Sequence, residues 1–186
     1  MNKKAIMTGL GFFFLMGISY PLTADELSKD EANACGALLC LAGSGGKGLS
    51  ECWHPYLNAY YSISAKRIVD TIKKRKNFLK LCPKSNDPGM PELVEAIANG
   101  AGRCDAETLN KDLAETRQEA RNCRYYAHHE QHCDYVTQKR ISKNLPSYCQ
   151  VYIQNAYTDI QLHFKGVSKW QDIDDFKKSP AGKWYD

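Results

Sequence analysis

The sequence contains eight cysteines, but no two of them stand in C-x-x-C spacing. The tightest spacing is Cys35-x4-Cys40. Enzymes of thiol–disulfide exchange usually keep their reactive thiolate in C-x-x-C, where a second thiol two residues away resolves the mixed disulfide. The missing motif argues against redox catalysis and favours structural bridges. The cysteines expected to form them are Cys35, Cys40, Cys52, Cys82, Cys104, Cys123, Cys133 and Cys149.

An excess of charge of one sign is also missing. The chain carries 25 Lys and Arg against 21 Asp and Glu, a formal net charge of +4 at pH 7. A dedicated nucleic-acid binder normally shows a strong basic excess. The charge balance therefore argues against a nucleic-acid partner.

Beyond the N-terminus, no hydrophobic run is long enough to span a membrane. The N-terminus itself has Lys3 and Lys4, an uncharged apolar run over residues 5–18, and the small residue Ala24 before Asp25. That run is shorter than the roughly 20 residues of a transmembrane helix, and the pattern is typical of a cleavable signal peptide over residues 1–24. An even number of cysteines after such a signal indicates a disulfide framework in an oxidising compartment. We expect a soluble protein exported to the bacterial periplasm, although an extracellular destination remains open.

Signals for β-strands are poor, because the sequence lacks period-2 alternation and hairpin dipeptides between apolar runs. Helix signals are frequent. Ser28 and Glu31 form a capping box, residues 66–81 are amphipathic, and Asp105 is placed to cap a long helical stretch running towards Asn144. A further helix is predicted from Ser147 towards Gly166.

These signals predict an all-α fold, a small helical bundle stapled by disulfides. Residues 25–186 are expected to form a single helical domain, with residues 167–186 as a loosely packed tail. Cys123 and Cys133 would lie about 15 Å apart on a continuous helix, beyond the roughly 7 Å reach of a disulfide. Either each reaches another helix or the long stretch is broken between them. Cys40 with Cys52 would close the glycine-rich loop, and the remaining pairings stay open.

The amphipathic helix carries a candidate partner-binding face. Ile68, Val69, Ile72 and Leu79 fall within an arc of about 100° and are predicted to face the core. A solvated helix surface is the simplest interpretation of the opposite side, and contact with an acidic protein surface, acidic lipid or DNA is the alternative. The basic residues of this side are Lys66, Arg67, Lys73, Lys74 and Lys80.

A histidine cluster, His128-His129-Glu130-Gln131-His132, is the one candidate metal site. On a helix His128 and His132 would share a face, as two zinc ligands do. The H-E-x-x-H motif is not matched, because the second histidine comes one residue early, and no acidic third ligand is evident. We therefore expect no metal and no cofactor.

Several short motifs follow one another in a specific order between residues 34 and 83. They are Cys35-x4-Cys40, a glycine-rich loop, Ser50-Glu51-Cys52, Tyr56-Leu57-x-x-Tyr60-Tyr61 and Phe78-Leu79-x-x-Cys82-Pro83. In this order they resemble the TrbM/KikA family of conjugal transfer proteins. The resemblance implies a periplasmic accessory of a plasmid-encoded type IV secretion system, associated with mating-pair formation, and it implies no catalytic residues.

The functional prediction is a non-catalytic accessory or assembly factor of plasmid conjugation that acts by protein–protein recognition. Its expected partners are protein components of the cell envelope or of the secretion apparatus. Two alternatives remain open. One is a secreted or envelope protein with a toxic or inhibitory action, and the other is a metal-dependent envelope enzyme that uses His128 and His132.

Overall fold

The computed structural model describes residues 26–126 and 131–186, which form a helical body and two antiparallel sheets. The signal peptide predicted for residues 1–24 lies outside this range. The helices are α1 (Lys29–Ala42), α2 (Ser50–Cys52), α3 (Asn58–Ser62), α4 (Ile68–Leu79), α5 (Met90–Ala98), α6 (Ala106–Asp112), α7 (Ser147–Ile153) and α8 (Ile173–Lys178). The strands are β1 (Ala114–Tyr125), β2 (Gln131–Ile141), β3 (His163–Gly166), β4 (Gln171–Asp172) and β5 (Gly182–Tyr185). The fold is mixed α/β, so the all-α prediction is wrong.

The ends of α1 follow from local chemistry. Ser28 Oγ accepts the Glu31 amide at 3.3 Å, and Glu31 Oε2 accepts the Ser28 amide at 2.8 Å, which confirms the predicted capping box. Gly43 follows the last turn as the C-cap, with an extended backbone at φ −90°. The predicted amphipathic helix is α4, which ends shortly before Pro83.

The core lies where α5 packs on α1, α4 and α7, and it consists mainly of aliphatic side chains. Two buried tyrosines add hydrogen bonds to it. The Tyr60 hydroxyl donates to the Ile97 carbonyl at 2.9 Å, and the Tyr152 hydroxyl donates to the Leu41 carbonyl. Burial raises the pKa of both tyrosines, so they stay neutral donors at physiological pH. The fully buried aliphatic side chains include Leu41, Leu57, Leu79, Leu93, Val94 and Ile97.

Three disulfides cross the helical body. Cys35–Cys82 joins α1 to the segment just after α4, Cys40–Cys52 joins α1 to α2 across the glycine-rich loop, and Cys104–Cys149 joins the loop before α6 to α7. A bridge of this kind contributes roughly 2–4 kcal/mol by restricting the unfolded chain.

The long helix predicted from Asp105 towards Asn144 is wrong beyond Asp112, where α6 ends. The chain instead forms the hairpin β1–β2, although its residues are mostly helix formers. Helix propensities differ by less than about 1 kcal/mol per residue among ordinary residues, so tertiary pairing overrides them. Here Arg140 Nε donates to Glu115 Oε2 at 2.7 Å across the strands, and Cys123–Cys133 joins them covalently.

The first sheet has the order β1-β2-β4. Arginine side chains of β1 and β2 connect these strands to Trp170 and Asp172, in and beside β4. The Arg121 guanidinium donates to both carboxylate oxygens of Asp172 at 2.8 and 2.7 Å, and this contact lowers the pKa of Asp172. The guanidinium carbons of Arg117 and Arg140 lie 4.6 and 4.5 Å from the centre of the Trp170 ring.

The predicted helix from Ser147 towards Gly166 ends at Ile153, and residues 163–166 form β3 instead. β3 pairs with β5 in the second sheet. Residues 167–186, for which a loosely packed tail is predicted, include one large buried side chain. Trp184 is only 6% exposed, and its Nε1 donates to the Ser142 carbonyl at 3.0 Å.

Candidate interaction surfaces

The basic side of α4 is exposed in the structure. Lys73 and Lys80, seven residues apart, lie on one side of the helix about 10.5 Å apart along its axis, with Lys74 beside them. Arg67 Nε bonds Asp70 Oδ2 at 2.7 Å. Within the described ranges, no carboxylate pairs with the other four basic residues predicted for this face, namely Lys66, Lys73, Lys74 and Lys80. Their charges therefore face solvent.

The apolar side of α4 is only partly covered, so its predicted burial is wrong at the start of the helix. Ile68 and Val69 are 70% and 69% exposed, whereas Leu79 is fully buried. The first turn extends past the core, and only the later turns pack on α1 and α5. The inward line runs through Thr71, Arg75 and Leu79.

Arg75 lies on the side of α4 that faces the core, where aromatic rings and a backbone carbonyl accommodate its charge. Its guanidinium lies over the rings of Tyr60 and Tyr61, 5.0 and 5.7 Å from their centres. Its Nε donates to the Ile63 carbonyl at 3.2 Å. Arg75 thus joins the segment before α4 to the core and belongs to the structure of the body rather than to the free basic face.

The outer end of the β1–β2 hairpin is a second exposed surface, which the sequence did not predict. Tyr125, Tyr126 and Tyr135 are 76%, 57% and 69% exposed. β4 pairs with Gln138 and Lys139 near the base, so the outer part of the hairpin is two-stranded. Exposed tyrosines are frequent anchors of protein interfaces, because the ring is apolar and the hydroxyl is polar. The ten-residue cysteine spacing, which does not fit one helix, was the available signal for this hairpin.

A β-bulge shapes this end of the hairpin. Arg121 pairs with Asp134 and Arg124 with His132, so Asn122 and Cys123 together oppose Cys133. Asn122 has φ +51°, a left-handed conformation that asparagine tolerates. The disulfide therefore joins the two strands at the bulge and restricts the movement of the segments that carry the tyrosines.

The histidine cluster is only partly placed by the structure. His128, His129 and Glu130 lie outside the described residues. His132 lies on β2, where it is exposed. The zinc alternative depended on a helix over the cluster, and residues 131–141 form a strand. Within residues 26–126 and 131–186, no group of three His, Cys, Asp or Glu side chains is arranged to hold a metal ion.

Two carboxylates beside an open cleft of about 420 Å³ are engaged in holding loops. The Asp159 carboxylate accepts the Ser44 amide at 2.6 Å and the Ser44 hydroxyl at 3.0 Å, and these bonds lower the pKa of Asp159. Asp105 caps α6 by accepting the Thr108 amide at 2.8 Å and pairs with Lys47 Nζ at 3.1 Å. Partial burial opposes ionisation of Asp105, but the bonds to Thr108 and Lys47 outweigh it and lower the pKa. Both side chains tie the glycine-rich loop to the body.

A groove of about 480 Å³ runs between α5 and α7. Ala96, Tyr148 and Val151 give it an apolar floor, and Glu92 and Glu95 stand at its side. Glu95 is paired with Lys76 on α4, and this contact lowers the pKa of Glu95. The side chains that line this groove therefore serve to pack α5 on α7 and, through Glu95, to pair α5 with α4.

Comparison with known proteins gives one family match. The model of the TrbM family matches residues 26–183, which include every helix and strand described above except the last two residues of β5. No curated protein and no solved structure matches the chain. In the described part of the chain, none of the helices is long and apolar enough to cross a bilayer.

Proposed function

This chain belongs to the TrbM family of conjugal transfer proteins, and on that premise we propose that it is a non-catalytic accessory factor of the conjugation apparatus. It works in the periplasm as a single exported domain, residues 25–186. There it binds protein components of the type IV secretion machinery through its exposed surfaces.

The pairing of all eight cysteines carries this proposal. Disulfides persist in oxidising compartments, and cytosolic thiols are kept reduced. The N-terminal segment has the charge and length of a cleavable export signal, which agrees with that compartment. A conjugation protein with this covalent framework fits the space between the two membranes, where the secretion channel is assembled.

Two surfaces support protein recognition. The basic face of α4 (Lys66, Arg67, Lys73, Lys74, Lys80) offers exposed charge on a helix that is packed on the core. Charge of this kind steers association with an acidic partner surface and selects against basic ones. The tyrosines of the hairpin offer apolar area with little loss of side-chain entropy on binding. Both surfaces are held on disulfide-linked elements, so little ordering is needed when a partner binds.

The basic face is tested by charge reversal in donor cells. Lys73, Lys74 and Lys80 are changed together to Glu, and a matched control changes Lys143, Lys177 and Lys178, which are also exposed. Loss of about 1.4 kcal/mol of binding energy corresponds to a tenfold weaker complex. We expect the α4 variant to bind its partner at least tenfold more weakly, so that less partner co-purifies and transfer is reduced. The control variant should keep both partner co-purification and transfer. Unchanged co-purification of the α4 variant would remove the basic face from the proposal.

The compartment is tested by fractionation of donor cells. We expect the processed chain in the periplasmic fraction, with its cysteines resistant to alkylation before reduction. Accumulation in the culture medium would instead favour the secreted toxic or inhibitory alternative. Stoichiometric zinc in protein purified without a tag would favour the metal-dependent enzyme.

A further inference from the structure

The edge of β1 is open. β1 is the outer strand of the sheet β1-β2-β4, and among the described residues no other strand pairs with its free side. An edge strand presents unpaired N–H and C=O groups, to which a further strand can add. The regular part of this edge covers residues 114–121, because the bulge at Asn122 and Cys123 interrupts the pairing beyond it.

Charged residues alternate along this regular segment. Glu115, Arg117, Glu119 and Arg121 follow at every second position and so lie on one face of the sheet. Their side chains are 35–44% exposed in their ion pairs, which leaves part of each charge accessible. The opposite face carries Thr116, Gln118 and Ala120, all exposed. Alternating charge usually discourages edge pairing, unless the added strand carries the complementary order.

A second copy of β1 carries that complementary order. If two copies pair antiparallel about Gln118, then Glu115 lies opposite Arg121 and Arg117 lies opposite Glu119. The twofold axis repeats both pairs, so all eight charges meet the opposite sign. A slip of two residues in either direction places Glu opposite Glu and Arg opposite Arg, which is destabilising. A slip of one residue joins the charged face of one copy to the other face of its partner.

We propose that β1 is a self-association edge, through which two copies form a twofold dimer with a continuous six-stranded antiparallel sheet. The contact is isologous, as expected for a homodimer, and its register is set by the four charges. It uses neither the basic face of α4 nor the compartment, so it stands or falls independently of the proposed function. The contact is a single pair of strands, smaller than the standard interfaces of roughly 1,200–2,000 Å², so we expect a weak dimer with a dissociation constant on the order of micromolar.

Cysteine crosslinking tests the register directly. Gln118→Cys places two thiols opposite each other across the twofold axis, where Cβ atoms of paired residues lie about 4.5–5.5 Å apart. Thr116→Cys is the matched control, since it is exposed on the same face but would lie about 14 Å from its counterpart. We expect a covalent dimer from Gln118→Cys on mild oxidation and none from Thr116→Cys. Equal crosslinking of both variants, or of neither, would overturn the proposed register.

Charge exchange between copies supplies a second test, read by sedimentation equilibrium. Arg117→Glu alone places Glu opposite Glu twice in the dimer, and Glu119→Arg alone places Arg opposite Arg twice. Each variant is expected to be monomeric. Mixing the two restores opposite charges at both positions, so heterodimers should form. The proposal is overturned if the unaltered protein stays monomeric at about 500 µM, well above a micromolar constant, or if mixing restores no association.

Discussion

Cys123 and Cys133 face each other across β1 and β2 with their Cα atoms 4.0 Å apart, and their disulfide closes the hairpin at its bulge. The other three bridges cross the helical body instead. The chain therefore uses its cysteines in two ways. Three bridges hold the core, and one fixes an exposed end that carries three tyrosines.

This division predicts different effects of removing bridges. Replacing Cys104 and Cys149 by Ser should lower the free energy of unfolding by about 2–4 kcal/mol, because that bridge restricts a loop of the core. Replacing Cys123 and Cys133 by Ser should cost less in global unfolding, since the outer hairpin can open while the body stays folded. Its effect should appear as faster amide hydrogen exchange near Tyr135. Urea unfolding and exchange measurements together check both, and equal losses of global stability would contradict the division.

Trp184 should anchor the C-terminal sheet. It is 6% exposed, contacts Phe164 with ring centres 5.2 Å apart, and its indole N–H is satisfied by Ser142. Trp184→Ala removes this packing and should lower the free energy of unfolding by about 3–5 kcal/mol.

Trp53→Ala is the matched control for this experiment, because Trp53 is 43% exposed and should lose distinctly less. Urea titration followed by circular dichroism measures both. A Trp184→Ala protein as stable as the Trp53→Ala protein would mean that residues 182–185 do not hold the core.

Asp159 should make stability depend on acid pH. Its bonds to Ser44 lower its pKa below the ordinary value of 3.8, so the unfolded chain takes up a proton at a higher pH than the folded chain does. The carboxylate therefore stabilises the fold above about pH 4, and this contribution disappears as the pH falls through the folded pKa. Asp159→Asn should flatten the decline in stability between about pH 5 and pH 2, as measured by urea unfolding.

Asp175→Asn is the control for that series, since Asp175 is exposed in α8 and its nearest cation, Lys178, is 3.9 Å away. It should keep the slope of the unaltered protein. An unchanged slope in Asp159→Asn would show that the contact with Ser44 contributes nothing to the folded state.

The parts of the fold that local chemistry decides were predictable. The capping box of Ser28 and Glu31, the N-cap Asp105 and the helix that ends before Pro83 are all found. Each depends on residues within a few positions of one another. The family resemblance carried by the cysteine spacing is likewise confirmed by the match over residues 26–183.

The hairpin and the exposed start of α4 were not predictable in the same way. Residues 114–125 and 131–141 have helix-favouring side chains, and their strand structure depends on partners such as Asp172, far along the chain. Ile68 and Val69 have the right helical spacing for burial, but spacing does not tell how far the covering helices extend. The proposed interaction surfaces lie in these two places, so neither the tyrosine-bearing hairpin nor the exposed apolar turn beside the lysines was evident beforehand.

Photocrosslinking in conjugating donor cells tests the proposed role in partner binding most directly. A photoreactive residue is placed at Lys73 on α4, at Tyr125 on the hairpin or, as a control, at exposed Lys177 on α8. We predict covalent adducts with a resident protein of the secretion apparatus from Lys73 or Tyr125, and none from Lys177. Adducts of equal yield from all three positions, or none from any of them in cells that transfer normally, would contradict a partner-binding function.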